Sequence, residues 1–414
     1  MNALFDALLR RVVRVGRLTV RYPDGCTATY GAGGGPSAGL RLRDAATVRR
    51  IMVNPSLRFG EAYMDGGIEP EEGSTIYDIL DVITGNLAAG ISHPLLRIHD
   101  WLSDHLRLLQ QINPATRARR NVAHHYDLNG RLYALFLDRD RQYSCAYFAR
   151  GDETIEEAQA AKKRHIAAKL RLDRPGLRVL DIGCGWGGLA LTLAREHGAI
   201  VTGITLSQEQ HAEAQARAAA ENLSDRVRFE LVDYRAVSGR FDRIVSVGMF
   251  EHVGLAQFRR FFGIMHDRLE PDGVALLHTI GRLKGPGSTN PWLRKYIFPG
   301  GYSPALSEVA PAIEHSGLYM TDVEVLRMHY ALTIRAWRRR FAANRDAIAA
   351  LYDERFCRMF EFYLAGCELA FRHDGHCNLQ IQLARRIDTV PITRDYMVDA
   401  ERAQPLRVPR SVST

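Results

Sequence analysis

The sequence lacks the features that identify membrane-spanning, disulfide-stabilised and zinc-binding proteins. No segment approaches the roughly 20 consecutive apolar residues that a membrane-spanning helix needs. The six cysteines lie far apart, with no Cys-x-x-Cys pair and no histidine cluster at zinc-ligand spacing. We therefore expect reduced thiols, no metal site and a cytoplasmic location. Arginines at positions 10, 11 and 14 interrupt the N-terminus where a secretory signal would be continuous, which argues against export.

Lysine is scarce, although the chain as a whole is basic. Only five of the 55 basic residues are lysine, the formal net charge is +8, and nine arginines face three acids in the first fifty residues. A positive patch near the N-terminus would suit nucleic acid or an anionic membrane, although a genomic codon bias would also enrich arginine. The composition, 46% hydrophobic and 25% charged, excludes collagenous and disordered proteins. The length of 414 residues predicts either two to three domains or one enlarged domain with a smaller companion.

Residues 1–112 predict a small α+β domain. Apolar residues recur near helical spacing over residues 2–16, with arginines between them, and predict a basic amphipathic helix that could lie on a membrane or pack on its own domain. Alternating runs at 18–30 and 40–53 flank a glycine-rich turn and predict strands. A helical stretch at 95–111 and a basic connector at 113–120 place the start of a second domain, residues 113–414, at residue 113.

The second domain alternates strands and helices. Apolar strand-like runs are covered on both faces in α/β proteins, so the pattern predicts an α/β fold with a doubly wound, mostly parallel sheet. The predicted strands span 178–183, 199–205, 227–233, 242–248, 273–280 and 379–385, and the predicted helices span 189–197, 208–221, 256–269, 331–341 and 348–371. A glycine- and proline-rich segment, 282–307, predicts a long loop that forms a lid or a binding wall.

A glycine-rich loop follows the first of these strands. Gly183, Gly185 and Gly188 form a GxGxxG pattern between strand and helix. A dinucleotide site would need an acid about 20 residues further on, at the end of the second strand, where Thr205 stands. Asp181 instead indicates S-adenosylmethionine (SAM), because a carboxylate here can organise the loop and reach the ammonium of the methionine moiety. The alternative for Asp181 is a helix-cap role or one that only holds the loop in place.

Two more polar residues have the spacing to reach this cofactor. Asp233 follows the third strand and could meet the adenine, but a simple turn acid would have the same position. Gln210 lies three residues after Ser207, so it could cap its helix instead of binding a ligand.

Polar residues also follow the fourth and fifth strands. Glu251 comes directly after the fourth strand, and His278 is expected to end the fifth, facing the same crevice as Gly185. If the two strands are neighbours, both groups lie beside the methyl donor. The fourth strand lacks the Asn/Asp-Pro-Pro-aromatic motif of methyltransferases that act on DNA bases, so base methylation is disfavoured.

Blocks along most of the chain resemble the cyclopropane-fatty-acyl-phospholipid synthases and the mycolic acid cyclopropane synthases, in the order of that family. The blocks are AHHYDLNGRLYALFLD, RQYSCAYF, VLDIGCGWGG, GITLSQEQ, SVGMFEHVG, LLHTIG, NPWLRKYIFPGGYSPALSE, HYALTIRAW and FEFYLAGCELAFR. The N-terminal unit, with GEAYMDGGIE, looks like the lipid-binding domain of the phospholipid enzymes. The family usually has Gly-Asn-Asp where this chain has Leu-Asn-Gly-Arg at 128–131, which leaves that turn in doubt.

This resemblance implies a Rossmann-like SAM methyltransferase sheet and methyl transfer to the cis double bond of a phospholipid acyl chain, with bicarbonate as the base that closes a cyclopropane ring. It implies that bicarbonate is held by Glu251, His278, Tyr330 and the backbones of Cys145 and Ile280, and that Tyr126 faces the reacting carbons. The residues implied for SAM are Tyr143, Ser144, Asp181, Gly183, Gly185, Thr205, Leu206, Gln210, Asp233 and Tyr234. The implied partners are a phospholipid bilayer with unsaturated chains, met from the cytoplasmic side, and a second copy in a homodimer, with no nucleic acid.

Three alternatives stay open at this stage. The same methyl transfer could end without ring closure, giving a methyl-branched or methylene chain. The protein could be a lipid-binding paralogue that has lost catalysis, although Glu251, His278 and Tyr330 are all present. It could also methylate RNA or a small molecule, and neither activity needs a lipid-binding domain.

Overall fold

The computed structural model describes residues 3–71, 73–91 and 130–403. The chain forms two compact units, each built from separated segments. The first comprises Met1–Gln110, Gly287–Pro299 and Ile334–His376, and the second comprises Gln111–Pro286, Gly300–Thr333 and Cys377–Thr414. The helix expected at 95–111, the connector and the boundary between residues 112 and 113 lie outside the described residues, so that boundary stays a prediction.

The first unit contains a four-stranded sheet in the order β2-β1-β3-β4. Strand β1 pairs antiparallel with β2 and parallel with β3, which pairs antiparallel with β4. The strands are β1 (Gly16–Arg21), β2 (Thr27–Gly33), β3 (Ser37–Leu42) and β4 (Ile68–Glu71). The early helices are α1 (Ala3–Val12), α2 (Ala45–Val53), α3 (Pro55–Met64) and α4 (Ile76–Ala88). The expectation of a strand throughout 40–53 is therefore wrong in its second half, where Asp44 caps α2 by accepting from the Thr47 N–H.

The N-terminal amphipathic helix packs on its own unit. Phe5, Leu8, Leu9 and Val12 are buried in the same apolar core as the sheet residues. Asp6 also anchors the helix, because the Tyr30 hydroxyl of β2 donates to its carboxylate over 2.7 Å. Of the two arrangements left open by the sequence, the structure has the packed one, since the apolar face of α1 is already covered.

The second unit contains a seven-stranded, mostly parallel sheet in the order β10-β11-β9-β8-β5-β6-β7. The strands from β5 to β9 pair in parallel, and β10 pairs antiparallel with β11. Their bounds are β5 (Arg178–Ile182), β6 (Ile200–Thr205), β7 (Val227–Leu231), β8 (Phe241–Val247), β9 (Leu269–Arg282), β10 (Tyr319–Leu326) and β11 (His376–Ala384). The predicted α/β class and the parallel core of the sheet are confirmed, whereas β10 was not predicted.

Helices cover both faces of this sheet. One face carries a core around Phe250, Phe261 and Leu277, and the other a core around Val179, Leu193 and Leu276. This alternation along β9 explains its continuous apolar run. The helices that follow α4 among the described residues are α5 (Gly130–Phe136), α6 (Ile155–Lys169), α7 (Gly188–His197), α8 (Gln208–Ala220), α9 (Phe258–Arg268), α10 (Pro291–Tyr296), α11 (Leu306–Glu314), α12 (His329–Ala343), α13 (Arg345–Leu351), α14 (Glu354–His373) and α15 (Asp395–Ala403).

Two later expectations need correction. The segment 282–307 is not one long loop, because Asn290 accepts from the Trp292 N–H and starts α10 within it. The single helix expected at 348–371 is two helices, α13 and α14, because Asp353 begins a new helix by accepting from the Phe356 N–H. Within the described part of the chain, no helix has both the length and the apolar character needed to cross a membrane.

Candidate active site

The glycine loop after β5 follows a path that side chains would block. Gly183 has a φ of +85°, which favours glycine, and a Cβ there would come within 2.8 Å of the Met249 side chain. Gly188 begins α7, and a Cβ there would come within 2.5 Å of the Gln142 amide nitrogen and 2.6 Å of the Asp140 carboxyl carbon. The first glycine therefore allows the turn, and the last allows the segment around residue 142 to approach closely.

A cavity of about 140 Å³ opens beside this loop at the carboxyl ends of the strands. All the residues predicted to contact SAM line it: Tyr143, Ser144, Asp181, Gly183, Gly185, Thr205, Leu206, Gln210, Asp233 and Tyr234. Residues that the sequence analysis did not single out also line it, among them Arg141, Gln142, Trp186, Met249 and His252. The structure thus brings the predicted cofactor residues from five chain segments into one wall.

Asp181 presents an unsatisfied carboxylate to this cavity. The residue is 2% exposed, and its Oδ2 atom has no hydrogen-bond partner among the described residues. Burial raises the pKa of Asp181 to about 7, and the positive charge of Lys162 opposes that rise. The helix-cap alternative is wrong, because Gly187 occupies the N-cap position of α7. A buried acceptor without a donor fits the ammonium of the SAM methionine moiety.

Ser207 and Gln210 form only one of the two hydrogen bonds of a capping box. Ser207 caps α8 by accepting from the Gln210 N–H over 3.3 Å. The Gln210 side chain does not return the cap, since its Oε1 accepts from the Thr205 hydroxyl over 3.0 Å. The Thr205 and Gln210 side chains are buried and line the cavity, so Gln210 has the position expected of a ligand contact.

Asp233 is a turn acid that also lines the cavity, and its contact with the adenine stays a prediction. It begins a short 3₁₀ turn by accepting from the Arg235 N–H, and its two carboxylate oxygens accept from the Arg235 guanidinium over 2.7 and 2.6 Å. It also lines the cavity beside Tyr234, whose ring packs edge-on against Phe261. Asp233 is therefore a turn acid that a fixed arginine orients at the cavity wall.

Glu251 lies just behind the cavity lining. His252 and Met249 line the cavity, whereas the Glu251 Oε1 atom accepts from the Ile280 N–H over 2.6 Å. The other carboxylate oxygen, Oε2, is buried without a hydrogen-bond partner among the described residues. Burial raises the pKa of Glu251, and the Ile280 hydrogen bond partly opposes this. The predicted pair Glu251 and Ile280 is thus in direct contact.

His278 lies within β9, and it does not line the cavity with Gly185. The expected strand end at His278 is wrong, because β9 continues to Arg282 and pairs His278 with Val247 of β8. Amide groups of Asn378 and Gln380 lie 3.3 and 3.1 Å from its two ring nitrogens. Burial lowers the pKa of His278 well below its ordinary 6.5, so the ring is neutral. The fourth and fifth strands of this domain, β8 and β9, are neighbours in the sheet, as expected.

The remaining predicted catalytic residues are Cys145, Tyr330 and Tyr126. Cys145 is fully buried, and its thiol donates to the Ala146 carbonyl over 3.4 Å. The next residue is tied to α12, because the Ala146 N–H donates to the Thr333 hydroxyl. Tyr330 is buried near the start of the same helix. Tyr126 lies outside the described residues.

Lys162 on α6 also contacts the cavity wall, although the sequence did not predict it. Its ammonium is fully buried and donates to the Gln142 Oε1 and Ser144 Oγ atoms, both in cavity-lining residues. The available signal was the scarcity of lysine, since two of only five lysines are adjacent at positions 162 and 163.

The comparisons with known proteins agree with this geometry. The model of the family described as mycolic acid cyclopropane synthetase matches residues 113–381, and a domain of unknown function, DUF7884, matches residues 4–88. The cyclopropane-fatty-acyl-phospholipid synthase of Escherichia coli (strain K12) is 41% identical over 344 residues, which cover 82% of this chain and 86% of that protein. The tuberculostearic acid methyltransferase UfaA1 of Mycobacterium tuberculosis is 36% identical over 392 residues, which cover 89% and 88%.

A solved relative is similar as well. The structure of mycolic acid cyclopropane synthase CmaA1 complexed with SAH and CTAB has a TM-score of 0.61 and 35% identity, and the match covers 66% of this chain and 99% of that one. The matched family model spans well over half of the chain, and the Escherichia coli relative covers more than four fifths of it. The chain therefore belongs to the mycolic acid cyclopropane synthetase family and is a SAM-dependent methyltransferase.

Proposed function

We propose that this enzyme transfers the methyl of SAM to the cis double bond of an unsaturated phospholipid acyl chain and closes a cyclopropane ring with bicarbonate as the base. The observation that carries the proposal is the buried Glu251 carboxylate, whose Oε2 has no donor among the described residues while its Oε1 is held by Ile280. Methyl transfer to an alkene leaves a carbocation that must lose a proton from carbon, so a base has to be held beside the methyl donor.

The cavity-lining residues prepare the donor. When bound, SAM supplies a methyl group activated by a positively charged sulfur. Asp181 offers a carboxylate to the ammonium end of the donor, and the aromatic rings of Tyr143 and Trp186 form part of the wall. Both rings contact the ring of Tyr133, at centroid distances of 5.3 and 4.9 Å. Aromatic faces stabilise cations, and this rigid wall suits both the sulfonium and a developing carbocation.

Glu251 and His278 fit an ion that carries both a hydroxyl and acceptor oxygens. Bicarbonate, when bound, supplies a weak base that can take a proton from the transferred methyl carbon. Glu251 Oε2 would accept from the hydroxyl of such an ion, because a buried acceptor without a donor is costly. His278 is neutral and adds no positive charge, and one of its ring nitrogens would bond the ion in place of the Asn378 or Gln380 amide that it contacts in the structure. Tyr330 and the backbones of Cys145 and Ile280 would complete the ligand set, and the Ile280 N–H, which donates to Glu251 Oε1 in the structure, would then be shared between Glu251 and the ion.

The substrate lies in a bilayer, so we propose peripheral docking on its cytoplasmic face. All nine arginines of the first fifty residues are exposed, which suits anionic headgroups. Because the apolar face of α1 is buried, the attraction would be electrostatic and not due to insertion of that helix. Co-sedimentation with vesicles should fall as salt rises, and binding that ignores both salt and anionic lipid would refute this. We also propose a homodimer, which sedimentation analysis would test.

The activity is tested with SAM and vesicles of a cis-monounsaturated phospholipid, followed by mass analysis of the released fatty acids. A gain of one CH₂ with loss of the double bond supports ring closure. A Glu251→Gln protein serves as the matched control, because it should bind SAM but form little product. Methyl transfer to added RNA with none to lipid would overturn the proposal.

Methyl transfer without ring closure is a second candidate reaction, because one relative with 36% identity over 89% of the chain is a tuberculostearic acid methyltransferase. Methyl transfer without ring closure would give a methyl-branched or methylene chain. The two products have the same mass, so mild hydrogenation before the mass analysis separates them: a methylene product gains two hydrogens and a cyclopropane product does not. The two reactions differ only in which proton leaves the intermediate cation.

A further inference from the structure

One face of α6 is bonded to a single short segment of the cavity wall. Gln159, Lys162 and Lys163 follow the helical spacing i, i+3 and i+4, so they project from one side of the helix. The Gln159 amide donates to the Gln142 and Ser144 carbonyls over 3.2 and 2.9 Å. Lys163 donates to the Asp140 carboxylate over 2.6 Å. These contacts fix the backbone and one end of the segment Asp140–Ser144, which we call the 140–144 segment.

Lys162 reaches the side chains of the same segment. Its Nζ atom donates to Gln142 Oε1 over 2.6 Å and to Ser144 Oγ over 2.9 Å. Four consecutive residues of the segment, Arg141 to Ser144, line the cavity that we assign to SAM, whereas Lys162 itself does not. Lys162 therefore contacts the wall from behind, through two side chains that face the ligand space.

The ammonium of Lys162 is buried at a site where a charge is costly. The residue is 0% exposed, and burial lowers its pKa to about 8. A lysine is almost never fully buried unless its charge is compensated. The acids that act on it are Asp138, Asp140 and Asp181, and Asp181 is the carboxylate that faces the cavity without a hydrogen-bond partner at Oδ2. A methionine at position 162 would fill this space without the cost of the buried charge, which makes a purely structural role a weak explanation.

We propose that Lys162 is a positioning residue of the cofactor site, which holds the Gln142 and Ser144 side chains in the binding wall. The ammonium uses two of its three N–H donors on the wall. Its charge favours the ionised form of Asp181, the form that attracts the ammonium of the ligand. The inference rests on the assignment of the cavity to SAM and not on the lipid acceptor.

The test is calorimetric binding of S-adenosylhomocysteine (SAH) to the full-length protein, freed of ligand, at pH 7. Lys162→Met should weaken SAH binding at least tenfold, because the wall loses two hydrogen bonds and Asp181 loses its counter-charge. In the methyl-transfer assay, the same variant should raise KM for SAM more than it lowers kcat. A residue that supported only the fold would not separate these two constants.

Lys169→Met is the matched control. Lys169 lies on the same helix, is 1% exposed and pairs with Glu324, but it contacts no residue of the 140–144 segment in the bonds described. We expect both variants to lower Tm and only Lys162→Met to weaken SAH binding beyond twofold. Equal weakening by the two variants, or unchanged SAH binding by a folded Lys162→Met protein, would overturn the proposal.

If Lys162→Met does not fold, Gln142→Leu tests the proposal instead. This variant removes the Gln142 Oε1 atom that accepts from the Lys162 ammonium and leaves the lysine in place. A several-fold loss of SAH affinity is expected, and unchanged affinity would overturn the proposal. SAH binding needs no lipid, so these results judge Lys162 whichever acceptor the enzyme methylates.

Discussion

Replacement of Asp181 by asparagine should stabilise the ligand-free protein and weaken its binding of SAM. Burial raises the pKa of Asp181 from its ordinary 3.8 to about 7. The folded protein therefore holds this proton more tightly than the unfolded chain does, and folding loses stability as pH rises from about 4 to about 7. A difference of about three pKa units corresponds to about 4 kcal/mol above pH 7, which is the upper limit of the gain from Asp181→Asn.

Thermal unfolding across pH 5–8 measures this effect. For a unit of this size, 1 kcal/mol shifts Tm by about 2 °C, so Asp181→Asn should unfold several degrees above the wild type at pH 8. The gain should shrink steadily toward pH 5, as the wild-type carboxyl takes up its proton. Affinity for SAH should fall by about 10- to 100-fold, since a hydrogen bond to a charged group contributes about 1.5–3 kcal/mol.

Asp152→Asn is the control, because that side chain is 77% exposed and should change neither Tm nor affinity. A Tm for Asp181→Asn at or below that of the wild type at every pH would contradict the burial argument. An unchanged SAH affinity would contradict the assignment of Asp181 to the ligand.

Three further predictions concern the neighbouring residues. Glu251→Gln should keep SAH affinity within about twofold and slow product formation by about 10²- to 10⁴-fold, the usual contribution of acid–base groups; a rate loss explained by KM for SAM alone would contradict this. Gly188→Ala should lower both Tm and SAH affinity, because its Cβ would approach the Gln142 amide nitrogen to 2.5 Å, and a variant that matches the wild type in both would refute the steric argument. Cys145→Ala should retain turnover, because burial raises the pKa of the thiol and leaves it protonated; loss of turnover in a folded variant would show that the side chain takes part.

The part of the cofactor wall at the strand ends was predictable because Asp181, Thr205 and Asp233 lie at or just after the ends of apolar strands, and parallel strands bring their carboxyl ends to one edge. Tyr143 and Ser144 follow no strand, and only the family resemblance implied them. Whether Gln210 caps its helix or faces the ligand could not be predicted, since both need the same spacing. In the structure the Gln210 side chain accepts from the Thr205 hydroxyl and does not return the cap, and its contact with the ligand stays a prediction.

Other features depend on partners that are distant in sequence. Strand β10 escaped prediction because it is an edge strand with polar residues such as Asp322 and Glu324 and no continuous apolar run. The depth of His278 in its strand depends on pairing with β8 and on the amides of β11. Lys162 could not be placed because lysine is normally exposed, and its burial follows only from three-dimensional packing.

The core of the first unit includes Ala365 and Leu369 of α14 together with residues from α1 and the β1–β4 sheet. A ribosome must therefore translate about 370 residues before that core can be completed, although most of its strands emerge within the first seventy. Until then the early sheet would have an apolar gap, which is the kind of surface that chaperones bind. A fragment that stops after α4 should accordingly be prone to aggregation, and supplying α14 as a separate peptide should improve its solubility.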